Sequence, residues 1–144
     1  MKRLIAGITA AVVDLDGTLV DTLGDFDAAL NAMLRELGLR AIDADAIEAR
    51  VGRGSEHLIA SVLEHVGAPP QLYERAWRSY QQHYLAINGE HSRLYPGALE
   101  GVNALRERGL RLACLTNKPG DFARPLLRKK GLADSFDVVF GGDA

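Results

Sequence analysis

The chain of 144 residues predicts an α/β fold, a Rossmann-like parallel sheet interrupted after its first strand by an α-helical insertion. Three features carry that expectation. A short apolar run, Ala10 to Val13, ends in Asp14-Leu15-Asp16-Gly17-Thr18. From Phe26 onward the apolar residues recur at helical spacing, and after Tyr95 the pattern returns to apolar runs alternating with amphipathic ones. Strands that alternate with helices argue for a parallel sheet, because parallel strands need a crossover between them.

Ala10, Ala11, Val12 and Val13 read as a short buried strand, which sets Asp14 and Asp16 at its C-terminal end, where open α/β sheets bind ligands. Residues two apart on a regular strand share one face, so if extended geometry lasts through Asp16 both carboxylates point at one ligand. Their repulsion then needs a cation or a proton to offset it, and Mg²⁺, a hard oxygen-seeking ion, is the simplest candidate. Alone, D-x-D reads equally well as a strand followed by a solvated polar turn.

Next comes a helix with Phe26, Ala29, Leu30, Met33, Leu34 and Leu37 on one face, stopped by Gly38. Ile47 and Val51 fit a short helix after Asp43. Leu58, Ile59, Val62, Leu63 and Val66 fit another, ending at Gly67, and Leu72, Tyr73, Ala76, Trp77, Tyr80, Tyr84 and Ile87 fit a longer one after Pro69-Pro70. The stretch from Leu23 to Arg93 is therefore expected to be helical throughout. After Tyr95-Pro96-Gly97 a helix bears Leu99, Val102 and Leu105 up to Gly109. Leu110 to Leu115 is a buried strand, Phe122, Leu126 and Leu127 mark a helix ending at Gly131, and Asp137 to Phe140 a last strand. The expected units are residues 1–22 with 94–144 for the α/β core and residues 23–93 for the helical insertion.

Composition narrows the function classes. With 47% hydrophobic and 25% charged residues and a net charge of −2, the chain reads as soluble and enzyme-like, with no nucleic-acid or anionic-membrane partner implied. No run approaches the roughly 20 apolar residues of a membrane span. Lys2 and Arg3 lead straight into the first strand instead of a cleavage site, so a cytoplasmic location is the default. The single cysteine, Cys114, sits inside an apolar run and reads as a buried core thiol. His57, His65, His83 and His91 form no i, i+4 pair of the kind that holds a metal, and read as structural. Arg128-Lys129-Lys130 falls at a helix C-terminus, where cations complement the helix dipole.

The whole string Asp14 to Thr22, D-L-D-G-T-L-V-D-T, resembles the nucleophile motif of the haloacid dehalogenase-like phosphatases. That resemblance implies that Asp14 attacks phosphorus to form an aspartyl-phosphate and that Asp16 acts as general acid and base. It also implies Mg²⁺ held by the Asp14 carboxylate and the Asp16 main-chain oxygen. Gly17 then lets the chain turn away without a Cβ clash, and Thr18 helps hold the loop. The helical insertion corresponds to the family's cap.

Leu115-Thr116-Asn117-Lys118-Pro119 stands at the end of a strand and before a helix, where a hydroxyl and main-chain N–H groups can hold phosphate oxygens. Read by itself it is a polar turn with Pro opening a helix. With the aspartate motif on the preceding strand, the resemblance implies that Thr116 and the Asn117 backbone bind the phosphoryl group, with an Asn117 side-chain contact as well. T-N-K-P, Leu94-Tyr95-Pro96-Gly97, Val51-Gly52-Arg53-Gly54 and Gly141-Gly142-Asp143 together resemble the phosphoglycolate phosphatase family along essentially the whole chain. The implied substrate is a small acid phosphate such as 2-phosphoglycolate. Arg53 then either pairs with the substrate carboxylate or is a solvated arginine in a Gly-rich connection, and Lys118 either meets the substrate or caps a loop.

The resemblance also sets an expectation of what this chain does not hold. The family's catalytic lysine and later acidic metal motif would follow Gly141-Gly142-Asp143-Ala144, and Asp143 comes too early to be one of those acids. In family order the three strands present lie third, second, first, which leaves the Val12 strand with an open edge and the chain prone to self-association. Little activity is therefore expected of these 144 residues by themselves, as a hydrolase shortened at its C-terminal end. The alternatives are a catalytically dead phosphate-binding module and a subunit completed by another chain.

Overall fold

Alternating exposure along the short strands shows how the sheet is built. The computed structural model describes residues 6–144; Lys2 and Arg3 lie outside the described residues. Strands β1 (Ala10–Val13), β4 (Arg111–Leu115) and β5 (Val138–Phe140) form a parallel sheet in the order β1-β4-β5. Val12 lies opposite Ala113, which lies opposite Val138. This is the strand order that the family resemblance implies, and both β1 and β5 pair on one side only among the described residues.

Two helices cover one face of that sheet. Leu112 and Cys114 are fully buried against Val102 of α5 (Ala98–Glu107) and Ala123, Leu126 and Leu127 of α6 (Gly120–Lys129). Among the described residues nothing covers the opposite face: Val12 is 66% exposed, Leu115 53% and Phe140 47%. Parallel sheets are ordinarily covered on both faces. The sequence reading anticipated the open edge of β1 but not this uncovered face.

The helical insertion has a core of its own. Helix α1 (Leu23–Glu36) buries Phe26, Ala29, Leu30, Met33 and Leu34 along the stripe its periodicity marks out. Gly38, at φ 71°, ends it, with the Leu39 N–H closing onto the Leu34 carbonyl at 2.9 Å. Helix α2 (Ala44–Glu48) is capped by Asp43, whose carboxylate accepts from the Ala46 N–H at 2.8 Å. Helix α3 (Ser55–His65) buries Leu58, Ile59, Val62 and Leu63, and α4 (Tyr73–Ile87) packs Ala76, Tyr80 and Tyr84 against α1. Phe122 of α6 joins this cluster, its ring 4.7 Å from that of Tyr84.

Where the insertion leaves and rejoins the sheet, the structure departs from an all-helical reading. Val20–Asp21 (β2) pairs antiparallel with Arg93–Leu94 (β3), so Arg93 is extended. The basic cluster also does something different from dipole compensation. Lys130 Nζ donates to the carbonyls of Gly89 at 2.9 Å and Ser92 at 2.6 Å, and Lys129 Nζ donates to that of Asn88, so these cations tie α6 to the turn after α4. No helix among the described residues is long and apolar enough to cross a membrane.

Candidate active site

Regular strand geometry stops at Val13, before the first acid. What keeps Asp14 and Asp16 on the same side is Leu15 between them, fully buried beneath α5 and α6, while its neighbours face outward. The chain then closes a tight turn in which the N–H groups of Thr18, Leu19 and Val20 all reach the Leu15 carbonyl. Gly17 is at φ 75° in this turn, and a Cβ placed there would meet nothing within 4 Å. Its requirement is therefore for the left-handed backbone, and not for relief of a clash with another element.

Asp14 and Asp16 line one cleft with Thr116, Asn117 and Lys118, and α1, α3 and the turn before α3 close it through Phe26, Leu58, Ser55, Gly52 and Gly54. Asp14 is exposed, and its Oδ1 accepts from the Leu15 N–H at 2.7 Å, which leaves Oδ2 as the free edge. Asp16 is held more tightly: its Oδ1 accepts from the Thr22 hydroxyl at 2.7 Å and lies 3.2 Å from Lys118 Nζ. Thr22 went unremarked in the sequence as a partner of Asp16; its place at the mouth of α1, six residues on, was the available signal.

The second loop follows β4. Thr116 is buried and anchored by its N–H to the Phe140 carbonyl at 3.0 Å, while its hydroxyl accepts from the Lys118 N–H at 3.1 Å. The Asn117 amide donates to the Gly52 carbonyl at 2.7 Å, so its side chain ties the loop to the helical insertion. Gly142 packs under this loop so closely that an added Cβ would lie 2.2 Å from the Asn117 carbonyl oxygen. Asp143 caps α6, accepting from the Gly120 N–H at 2.8 Å, and this contact holds its carboxyl below the usual range.

Arg53 is exposed and does not line the cleft that holds the aspartates. It lines a neighbouring cleft of about 370 Å³ with Trp77, Gln81 and Asp121, which shares Gly54, Ser55 and Asn117 with the first. Beneath the site Cys114 is fully buried, and burial, with Asp14 and Asp16 nearby, pushes its thiol up to about 11. Tyr84 is likewise pushed well above the phenol range by burial and by the Asp16 and Asp25 carboxylates. The sequence reading placed Phe26, Leu58 and Tyr84 on core-facing helical stripes and did not assign them to the site.

A hard cation fits this donor set. The Asp14 carboxylate and the Asp16 main-chain oxygen would offer it two oxygen donors, and Mg²⁺ ordinarily keeps several waters and takes phosphate oxygens for the rest. Among the described residues no group of three or more His, Cys, Asp or Glu side chains gathers as a metal site.

Comparison with known proteins agrees with this architecture. A phosphoglycolate phosphatase of Nitrosospira multiformis is 44% identical over 140 residues, covering 95% of this chain and 62% of its own length. One of Thiobacillus denitrificans is 40% identical over 146 residues, covering 99% of this chain and 64% of its own. The chain thus spans somewhat less than two thirds of the curated relatives it matches. Among solved structures, a predicted phosphoglycolate phosphatase from Haemophilus somnus superposes with a TM-score of 0.89 at 27% identity, covering 93% of this chain and 62% of that one. CbbY from Rhodobacter sphaeroides, solved in complex with phosphate, gives 0.77 at 26% identity, covering 93% and 63%. The model of the haloacid dehalogenase-like hydrolases matches residues 8–144, and the chain belongs to that family.

Proposed function

We propose that this chain carries the nucleophile half of a phosphomonoester hydrolase that acts on a small acid phosphate such as 2-phosphoglycolate. The observation that carries this reading is the pair of carboxylates on either side of buried Leu15, facing one cleft with Thr116 and Lys118. Asp14 is the nucleophile, through its free Oδ2: the new bond joins that oxygen to phosphorus as the ester bond to the leaving oxygen breaks. Asp16 gives its proton to the leaving oxygen and then takes one from the water that hydrolyses the aspartyl-phosphate. Thr116 and the Asn117 backbone hold the phosphoryl oxygens. The Asp14 carboxylate and the Asp16 main-chain oxygen would hold Mg²⁺, which would supply neutralisation of the charge gathered between Asp14 and the phosphate dianion.

The remainder of the ester is assigned to the neighbouring cleft, where Arg53, one of its lining residues, would pair with a substrate carboxylate. The names of the relatives and the phosphate held by the Rhodobacter sphaeroides structure support the same chemistry. The reading assigns the charge-balancing lysine and further acidic metal ligands to sequence that the relatives carry outside the matched part, with turnover by residues 1–144 alone correspondingly low. It also assigns the bare sheet face and the open β1 edge to contact with further chain or with a second copy, and the protein to the cytoplasm.

The test is phosphate release from 2-phosphoglycolate with Mg²⁺, by the chain alone and by the chain continued with the last third of the Nitrosospira multiformis relative. Turnover in the extended form that Asp14→Asn removes supports the reading. Binding without turnover in either form favours a silent phosphate-binding module, and turnover only on mixing with a separate polypeptide favours a completed subunit.

A further inference from the structure

Lys118 lines the cleft of Asp14 and Asp16, and its surroundings give it a role besides meeting a substrate or capping a loop. Its side chain is 2% exposed, held by neighbours on nearly every side. The ammonium lies 4.5 Å from the centre of the Phe26 ring and 4.4 Å from that of Tyr84, and it donates to the Tyr84 hydroxyl. On its remaining side it faces Asp16 Oδ1 at 3.2 Å. A buried ammonium needs its hydration replaced in full, and here two ring faces, a phenol oxygen and a carboxylate do so. The phenol accepts as a neutral group, because burial and the Asp16 and Asp25 carboxylates oppose its ionisation.

The origin of each wall gives the box its meaning. Phe26 belongs to α1 and Tyr84 to α4, whereas Lys118 follows β4 and Asp16 follows β1. The position of the ammonium is set by the helical insertion, and the ammonium in turn fixes one oxygen of Asp16. Among the described residues, only the Thr22 hydroxyl otherwise holds that oxygen.

We propose that Lys118 is a positioning residue, boxed by Phe26 and Tyr84 so as to orient the Asp16 carboxylate for proton transfer, which makes the packing of the helical insertion felt at the acid–base group. This rests on the reading of Asp16 as general acid and base.

Two measurements test it. In the 144-residue chain, urea midpoints are compared for Asp16→Asn, Lys118→Met and the double variant, with Tyr84→Phe as a milder change that removes only the hydroxyl. The Lys118→Met shift should be clearly smaller in the Asp16→Asn background, and strictly additive shifts would overturn the proposal. In the extended chain, kcat and KM are measured on an alkyl phosphate and on p-nitrophenyl phosphate, whose leaving group needs no proton. Asp16→Asn should lower kcat on the alkyl ester by about 10²-fold or more and on the aryl ester far less. Lys118→Met should show the same selectivity, at least about tenfold, with KM little changed. Equal losses on both esters would make Lys118 a structural plug, and a loss confined to KM would make it a substrate ligand; either result overturns the proposal. Failure of the underlying reading shows separately, as absence of selectivity in Asp16→Asn itself.

Discussion

Asp25 offers a stability effect whose origin is two specific hydrogen bonds. Its side chain is completely buried in the first turn of α1, and its two oxygens accept from the Gly89 N–H at 2.9 Å and the His91 N–H at 2.8 Å. These bonds clamp the turn that brings the chain from α4 back toward β3. The fit is close, since a Cβ on neighbouring Gly24 would lie 2.2 Å from the His91 carbonyl oxygen. A hydrogen bond to a charged group contributes about 1.5–3 kcal/mol, so Asp25→Ala, which removes two such bonds at the half-buried Gly89 and the exposed His91, should cost about 3 kcal/mol. That is a large share of the about 5–15 kcal/mol that holds a domain of ordinary stability. Urea denaturation followed by far-UV circular dichroism should show the midpoint falling with the slope unchanged, and Asp25→Asn, which keeps one acceptor, should fall between. A midpoint for Asp25→Ala that corresponds to a loss under about 1 kcal/mol would refute the claim that this carboxylate clamps the turn.

Further expectations concern other parts of the molecule. Glu36 accepts from the Ser79 hydroxyl and pairs with His83, each at 2.8 Å, and these contacts lower its pKa from 4.5. A folded-state pKa below the unfolded one means that the stabilisation is present above pH 4.5 and is lost as pH falls through the lower value; melting temperature against pH should therefore drop less steeply in Glu36→Gln. With its thiol raised from 9.0 to about 11, Cys114 should resist iodoacetamide at pH 8 in the folded chain and react readily in urea; fast native alkylation would contradict its burial. Gly142→Ala should displace the Asn117 loop and weaken binding of inorganic phosphate, measured by calorimetry. Gly17→Ala, with no neighbour to strike, should cost only the left-handed backbone penalty of about 1–2 kcal/mol.

Local pattern made much of this fold legible, and the limits follow from what local pattern lacks. The stripe on α1 and its Gly38 stop are set by residues within a few positions of one another, as are β1 and the turn through Gly17. The two-residue strands β2 and β3 have no period to read, and they exist because segments some seventy positions apart meet. Phe26 and Tyr84 obey the helical period of core residues, and nothing in that period distinguishes a ring that packs on a leucine from one that faces an ammonium. Arg53 lies in a turn whose backbone runs through Gly52 and Gly54 at positive φ, so spacing gave no direction for its side chain, and it faces the neighbouring cleft. The uncovered sheet face has no signature in the sequence, because Val12, Leu115 and Phe140 are apolar, as buried strand residues would be.

Asp14 is the proposed nucleophile, and its phosphorylation can be observed directly. The extended chain is mixed with 2-phosphoglycolate and Mg²⁺, quenched in acid within the first turnover, and digested for mass spectrometry. One phosphoryl group is expected on the peptide bearing Asp14, absent in Asp14→Asn along with all phosphate release, and persisting longer in Asp16→Asn. Near-normal phosphate release by Asp14→Asn, or a phosphoryl group found on any other residue, would contradict that assignment.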